Sequence, residues 1–144
     1  GFRKTGIITF PLADNDPSKL SLIRTELERN SAVQKVSFGF SSPRSQSNIG
    51  SGFNYAPLQS ETSFDAGYKV IDENYLDLYE IELLAGRNLK KSDTLFRSVL
   101  VSEKVLDIME IQDPEEAIGK IIQSGFNGDK TIVGVVKNFN SLSL

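Results

Sequence analysis

The apolar residues of this chain come in short runs, and that limits what it can build. Examples are Ile7–Ile8, Ile81 to Ala85 with Glu82 inside, and Ile132 to Val136. A membrane-spanning helix needs about 20 consecutive apolar residues, and no stretch approaches that. Short strands and short helices remain. The 144 residues suffice for one domain with a real core. With 39% hydrophobic and 24% charged residues, the composition matches a soluble globular domain. No signal-peptide pattern is present, and Gly1 leads almost directly into a strand-like segment. The chain therefore reads as cytosolic or as a trimmed piece of a longer protein. Phe139 to Leu144 follows a strand with no stopping device, which favours a trimmed boundary.

The sequence contains no histidine and no cysteine. That excludes a cysteine nucleophile, a Ser-His-Asp triad, a histidine base and zinc sites built from those residues. The lack of cysteine does not decide the compartment, since a chain of this length needs no disulfide. Net charge is −3, from 16 basic and 19 acidic residues. The basic residues are scattered and form no nucleic-acid stripe or polybasic membrane patch.

Alternating apolar residues predict a strand over 5–12, with Pro11 ending it or placing it at a sheet edge. Asp16-Pro17 then opens a helix: Asp16 suits the N-cap and Pro17 the first turn. Leu20, Ile23 and Leu27 give it an apolar stripe, and it should end near Asn30. Val33 to Phe40 alternates again, completing a strand–helix–strand unit. Residues 41–52 are rich in Ser, Gly, Asn and Gln and read as a surface loop or a flexible binding loop. Strands are expected at 53–58, 64–71, 81–84 and 98–101, and helices at 75–79 and 103–109. Asp113-Pro114 repeats the cap-and-proline device, and Gly119 stops that helix. Strands 120–123 and 130–136 flank Asn127-Gly128, a hairpin signal. Gly134 inside a β-branched strand predicts a bulge or a close backbone approach. No internal repeat is evident. The fold class is α+β, with a mixed, largely antiparallel sheet.

The candidates for chemistry all have a structural reading. Glu115–Glu116, Asp72–Glu73 and Asp14/Asp16 are paired carboxylates, and each pair sits where helix N-termini favour acids. Asp14, Asn15 and Asp16 could offer oxygens to calcium, but the spacing is not that of an EF-hand. Gly125 to Gly128 and Gly50-Ser-Gly52 lack the Lys-Ser/Thr of a phosphate loop. Ser102 and Lys104 are the nearest thing to a Ser–Lys dyad, at a spacing that puts them on different helix faces. Tyr55, Phe64, Tyr68, Tyr75 and Tyr79 concentrate in the middle third, as core or as a partner-binding face. No catalytic, cofactor or metal residue is assigned.

Several segments, in order, resemble the extracytoplasmic domain of MacB/FtsX-like ABC transporter permeases, especially the Bacteroidetes-type group. They are the opening strand and helix with Val33-Gln-Lys-Val36-Ser37, then Val70-Ile-Asp72-Glu-Asn-Tyr75, Leu83-Leu-Ala-Gly86-Arg87-Asn-Leu89 and Val99-Leu-Val-Ser102-Glu103. Pro114-Glu-Glu-Ala-Ile-Gly119-Lys120 and Ile132-Val-Gly134-Val-Val-Lys137-Asn-Phe139 follow. Ser102 departs from the family's usual Asn, and Asn138 from its usual acid. The resemblance implies a porter-like βαβ lobe with a second α+β lobe inserted into it. Residues 1–42 would begin the porter-like lobe, 43–128 would form the connecting loop and inserted lobe, and 129–144 would return to the first, which Leu144 truncates. It implies a non-catalytic domain facing the periplasm from the inner membrane, without a cofactor. Its work would be substrate or partner interaction, or transmission of ATP-driven motion. The implied partners are a cytosolic ATPase subunit, a second permease copy forming a dimer, and a periplasmic adaptor or outer-membrane protein. The rival reading is a free-standing periplasmic ligand- or protein-binding module. An enzyme using carboxylates or Ser102–Lys104 has the least support.

Overall fold

Aspartate and proline open the first helix as the sequence requires. In the computed structural model, which describes residues 6–7, 12, 16–39, 49–57, 64–93, 97–124 and 128–138, α1 covers Pro17–Glu28. The Asp16 carboxylate accepts from the Ser18 hydroxyl at 2.7 Å and the Ser18 amide at 2.9 Å. It thereby satisfies an amide that the helix leaves open. Those two bonds hold the Asp16 carboxyl below its usual range. The same device opens α4 (Pro114–Ala117), where Asp113 accepts from the Glu115 amide at 3.0 Å.

The sheet grows on the longest strand. The strands are β1 (Ile49–Asn54), β2 (Phe64–Tyr68), β3 (Leu83–Gly86), β4 (Ser98–Ser102), β5 (Ile121–Ser124) and β6 (Gly128–Val136). β4 runs parallel to β6 along Thr131–Val136. The other edge of β6 takes two antiparallel partners in succession, β5 against Gly128–Thr131 and β3 against Gly134–Val136. β1 extends the sheet beyond β5, and β2 beyond β1, both antiparallel. The sheet is mixed and largely antiparallel, as expected. β5 and β6 form the expected hairpin: Ser124 pairs with Gly128, whose φ is +74°.

Side chains leave the sheet on both faces, and each face carries its own apolar cluster. Phe53, Ala85, Val101, Ile122, Ile132 and Val135 pack with Leu106 and Met109 of α3 (Glu103–Ile108 and its cap) and Ala117 of α4. On the opposite face Val136 and Leu100 pack with Tyr75, Leu76 and Tyr79 of α2 (Tyr75–Tyr79) and its cap, and with Ile81 and Ile7. The neighbours Val135/Val136 and Val101/Leu100 divide between the clusters, as strand alternation demands.

One regularity escaped the sequence reading. Leu76-Asp-Leu-Tyr-Glu-Ile81 and Leu106-Asp-Ile-Met-Glu-Ile111 fold alike. Ile81 N donates to Leu76 O at 2.9 Å, and Ile111 N to Leu106 O at 3.0 Å. Glu80 and Glu110 have φ of 54° and 59°. Both are Schellman endings, with a glutamate where glycine is favoured. A left-handed residue with a Cβ is disfavoured by about 1–2 kcal/mol. Glu110→Gly is therefore expected to stabilise the chain by up to about 1 kcal/mol, after glycine's extra unfolded-state entropy. Urea unfolding of the variant checks this, and a lowered midpoint would contradict it.

Two expectations need correcting. Val33 to Phe40 does not form a strand among the described residues; only Gly39 makes an isolated bridge, to Ile71. Its backbone is occupied by side chains instead: Asp72 takes the Phe38 amide, and Asn74 donates to the Val36 carbonyl. The second strand of the expected βαβ unit is thus an extended segment, and most of the first, residues 5–12, lies outside the described residues. The polar stretch 41–52 also ends early, because β1 begins at Ile49 and not at Phe53. Pairing with β2 from Ile49 to Phe53 overrides the poor strand propensity of Gly50-Ser-Gly52.

Candidate functional site

Polar side chains converge on the turn before α2. Asp72 Oδ2 accepts from Arg24 Nη2 at 2.8 Å and from the Phe38 amide at 2.6 Å. Its Oδ1 accepts from Ser37 Oγ at 2.6 Å and from the Asn74 amide at 3.1 Å. One carboxylate thus joins α1, the extended segment and its own turn. Arg24 also lies 3.7 Å from Glu73 and stacks over the Phe38 ring at 5.0 Å. Asn74 Nδ2 donates to Val36 O at 3.0 Å, and Lys35 Nζ reaches Asp77 at 2.8 Å.

The network continues toward β4. Asn88 Nδ2 donates to Glu73 O at 2.9 Å. The neighbouring Arg87 grips Asp93 with both guanidinium arms, at 2.7 and 3.1 Å. Asp93 also accepts from the Lys90 amide at 2.7 Å and from Ser98 Oγ at 3.1 Å, at the start of β4. The Arg87 side chain, followed by the Lys90 amide, holds the Asp93 carboxyl far below the usual carboxylate range. Because the folded value is depressed, this stabilisation is complete above the ordinary carboxylate pKa near 4 and is lost as pH falls below it. Asp93→Asn should cost about 1 kcal/mol at neutral pH, a figure limited by solvent around the 39%-exposed Arg87 side chain. Below about pH 4 the variant's stability should depend less steeply on pH than that of the parent chain. Urea midpoints from pH 7 to pH 2 measure both effects, and parallel pH profiles would contradict the assignment.

A third set of bonds closes the end of β6. Asn138 Oδ1 accepts from the Lys104 amide, and the Asn138 amide donates to Glu103 Oε1, both at 3.1 Å. Ser102 precedes α3 but makes no side-chain cap bond, so Asn138, just beyond the end of β6, caps that helix instead. Ser102 and Asn138 thus lie at one corner, where β6 ends against α3.

The other sequence candidates serve the fold. Tyr55, Tyr75 and Tyr79 are buried core, and Tyr68 packs edge-on against Phe53 at 6.2 Å. Burial, with Tyr79 alongside, raises the Tyr75 phenol well above its ordinary range. The side chain of Phe64 lies outside the described residues, as do Asp14, Asn15 and Gly125 to Asn127. Glu115 and Glu116 are exposed in the first turn of α4, and Lys104 is exposed in the first turn of α3. Among the described residues no cluster of three acidic side chains could hold a metal ion. Nor is any helix among them long and apolar enough to cross a membrane. Asp72 and Asp93 each accept four hydrogen bonds, which suits holding segments together. Arg24 and Asn138 were missed as partners, because nothing local in sequence marks a contact across so many residues.

No protein-family model matches the chain, and no curated protein sequence matches it. Solved structures do. The periplasmic region of MacB from Actinobacillus actinomycetemcomitans superposes with a TM-score of 0.58 at 21% identity, over 80% of this chain. The extracellular domain of the noncanonic ABC-type transporter YknZ from Gram-positive bacteria gives 0.56 at 19% identity, over 79%. The chain spans about half the length of these structures, 49% and 55% respectively. It has the α+β fold of MacB-like periplasmic domains.

Proposed function

We propose that this chain is the extracytoplasmic domain of an ABC transporter permease. It stands outside the cell membrane, anchored by membrane segments elsewhere in its parent protein. The observation that carries this reading is the shared fold over four-fifths of the chain with two such domains. The ordered family-like segments support it, as does a polar network whose carboxylates are occupied in joining segments. The domain binds no nucleotide itself. A cytosolic ATPase drives the parent permease, which works as a dimer. The domain meets a substrate, a periplasmic adaptor or an outer-membrane protein, or it passes ATP-driven motion across the membrane. The parent reading frame tests the reading. An apolar run of about 20 residues before Gly1, further ones after Leu144 and a neighbouring ATPase gene are expected. A start codon near Gly1 and a stop after Leu144 would overturn it and leave the free-standing binding module.

A further inference from the structure

We propose that Asp72 is the latch of a polar joint through which residues 16–38 dock on the turn at 72–77, and that this unit undocks without unfolding the sheet. The proposal goes beyond the transporter reading and does not depend on it. α1 buries none of its side chains, and Leu22 is 61% exposed. Against the turn at 72–77, the unit is held by polar bonds from Arg24, Lys35, Ser37, the Phe38 amide and the Val36 carbonyl. Val36, at 9% exposure, is the one buried residue of the unit. Ile7 packs into the second apolar cluster, so the unit is tethered to the sheet on its N-terminal side, and the Gly39–Ile71 bridge tethers the other.

Such a joint differs in kind from the rest of the fold. Water replaces hydrogen bonds and part-exposed ion pairs when they separate, so opening them costs little. Separating β6 from its neighbours would expose Ile132 and Val135, which are fully buried. Four donors from three segments share the one Asp72 carboxylate, so losing its charge weakens those four bonds together, while Lys35–Asp77 and Asn74–Val36 remain. The side chains of Arg24 and Asp72 are 23% and 15% exposed, within reach of solvent.

Hydrogen–deuterium exchange of the 144-residue chain tests the latch, with Asp72→Asn and Arg24→Gln as variants. In the unsubstituted chain, amides of α1 should exchange at least about tenfold faster than those of Ile132 to Val136. Asp72→Asn should speed α1 and residues 33–38 by roughly a further tenfold, as expected for hydrogen bonds to a lost charge, and leave 132–136 unchanged. Arg24→Gln keeps the Ser37, Phe38 and Asn74 bonds and should speed α1 alone, so it decides the matter even if Asp72→Asn fails to fold. Exchange at 132–136 rising together with α1 would overturn the proposal, because the joint would then belong to the global fold. So would an α1 unaffected by Arg24→Gln.

Discussion

Alanine in place of Gly86 is expected to destabilise the chain by about 3–5 kcal/mol, combining left-handed strain with overpacking. Gly86 has a φ of +71° and pairs with Gly134 across β3 and β6. A Cβ there would run into the Val133 carbonyl oxygen and stand 2.6 Å from Ile118 Cδ1 and 3.0 Å from Gly134 Cα. The obstructing oxygen belongs to a backbone bonded on its own account, since Val133 O accepts from the Arg87 amide at 2.9 Å. Neither strand can step aside. Alanine at Gly134 meets the Arg87 carbonyl oxygen and Leu100 Cδ2 at 2.7 Å, but without left-handed strain, so about 1–3 kcal/mol is expected. The origin of the crowding is the bulge at Val133, which β4 skips between Val99 and Leu100. Native domains are stable by only about 5–15 kcal/mol, so Gly86→Ala should remove a large share. Urea denaturation of both variants measures it. A Gly86→Ala midpoint within experimental error of the parent's would show that the two strands are not held this close.

Leu106→Ala should cost about 2–5 kcal/mol, the range for a buried leucine whose cavity cannot fully collapse. Leu106 is 3% exposed and packs in the main cluster beside Met109, at 2%. It also begins the Schellman ending of α3, where the Ile111 amide returns to its carbonyl. Ile108, two residues on, is 43% exposed and should tolerate alanine within about 0.5 kcal/mol. The contrast within one short helix makes the test specific. Equal losses at the two positions would mean that α3 is rotated from the orientation described.

The parts of the fold written in local chemistry were legible. Asp16-Pro17 and Asp113-Pro114 start helices because side-chain caps and a fixed φ act within three residues. Gly134 among β-branched neighbours implies a bulge or a close backbone approach; the bulge falls next to it at Val133, and the Arg87 carbonyl approaches Gly134 closely. Tyr75–Tyr79 matched its expected helix end to end. The parts decided by partners far along the chain were not legible. Val33 to Phe38 alternates like a strand, but the Phe38 amide and the Val36 carbonyl bond to Asp72 and Asn74, more than 30 positions away in sequence. Ile49 to Gly52 reads as a loop until β2 lies beside it. At the candidate site, Asp72 was seen as a helix-cap acid, and its link to Arg24 required the fold. Asn138 was noticed only as a departure from a pattern; its role appears where β6 ends against α3.

The most direct test of an extracytoplasmic domain is thiol labelling of the full-length parent in intact cells. This chain has no cysteine, so Glu116→Cys places one thiol in it, on the exposed first turn of α4. A membrane-impermeant maleimide should label that thiol from outside the cell membrane, without lysis. Labelling only after lysis would put the domain in the cytoplasm and contradict the account.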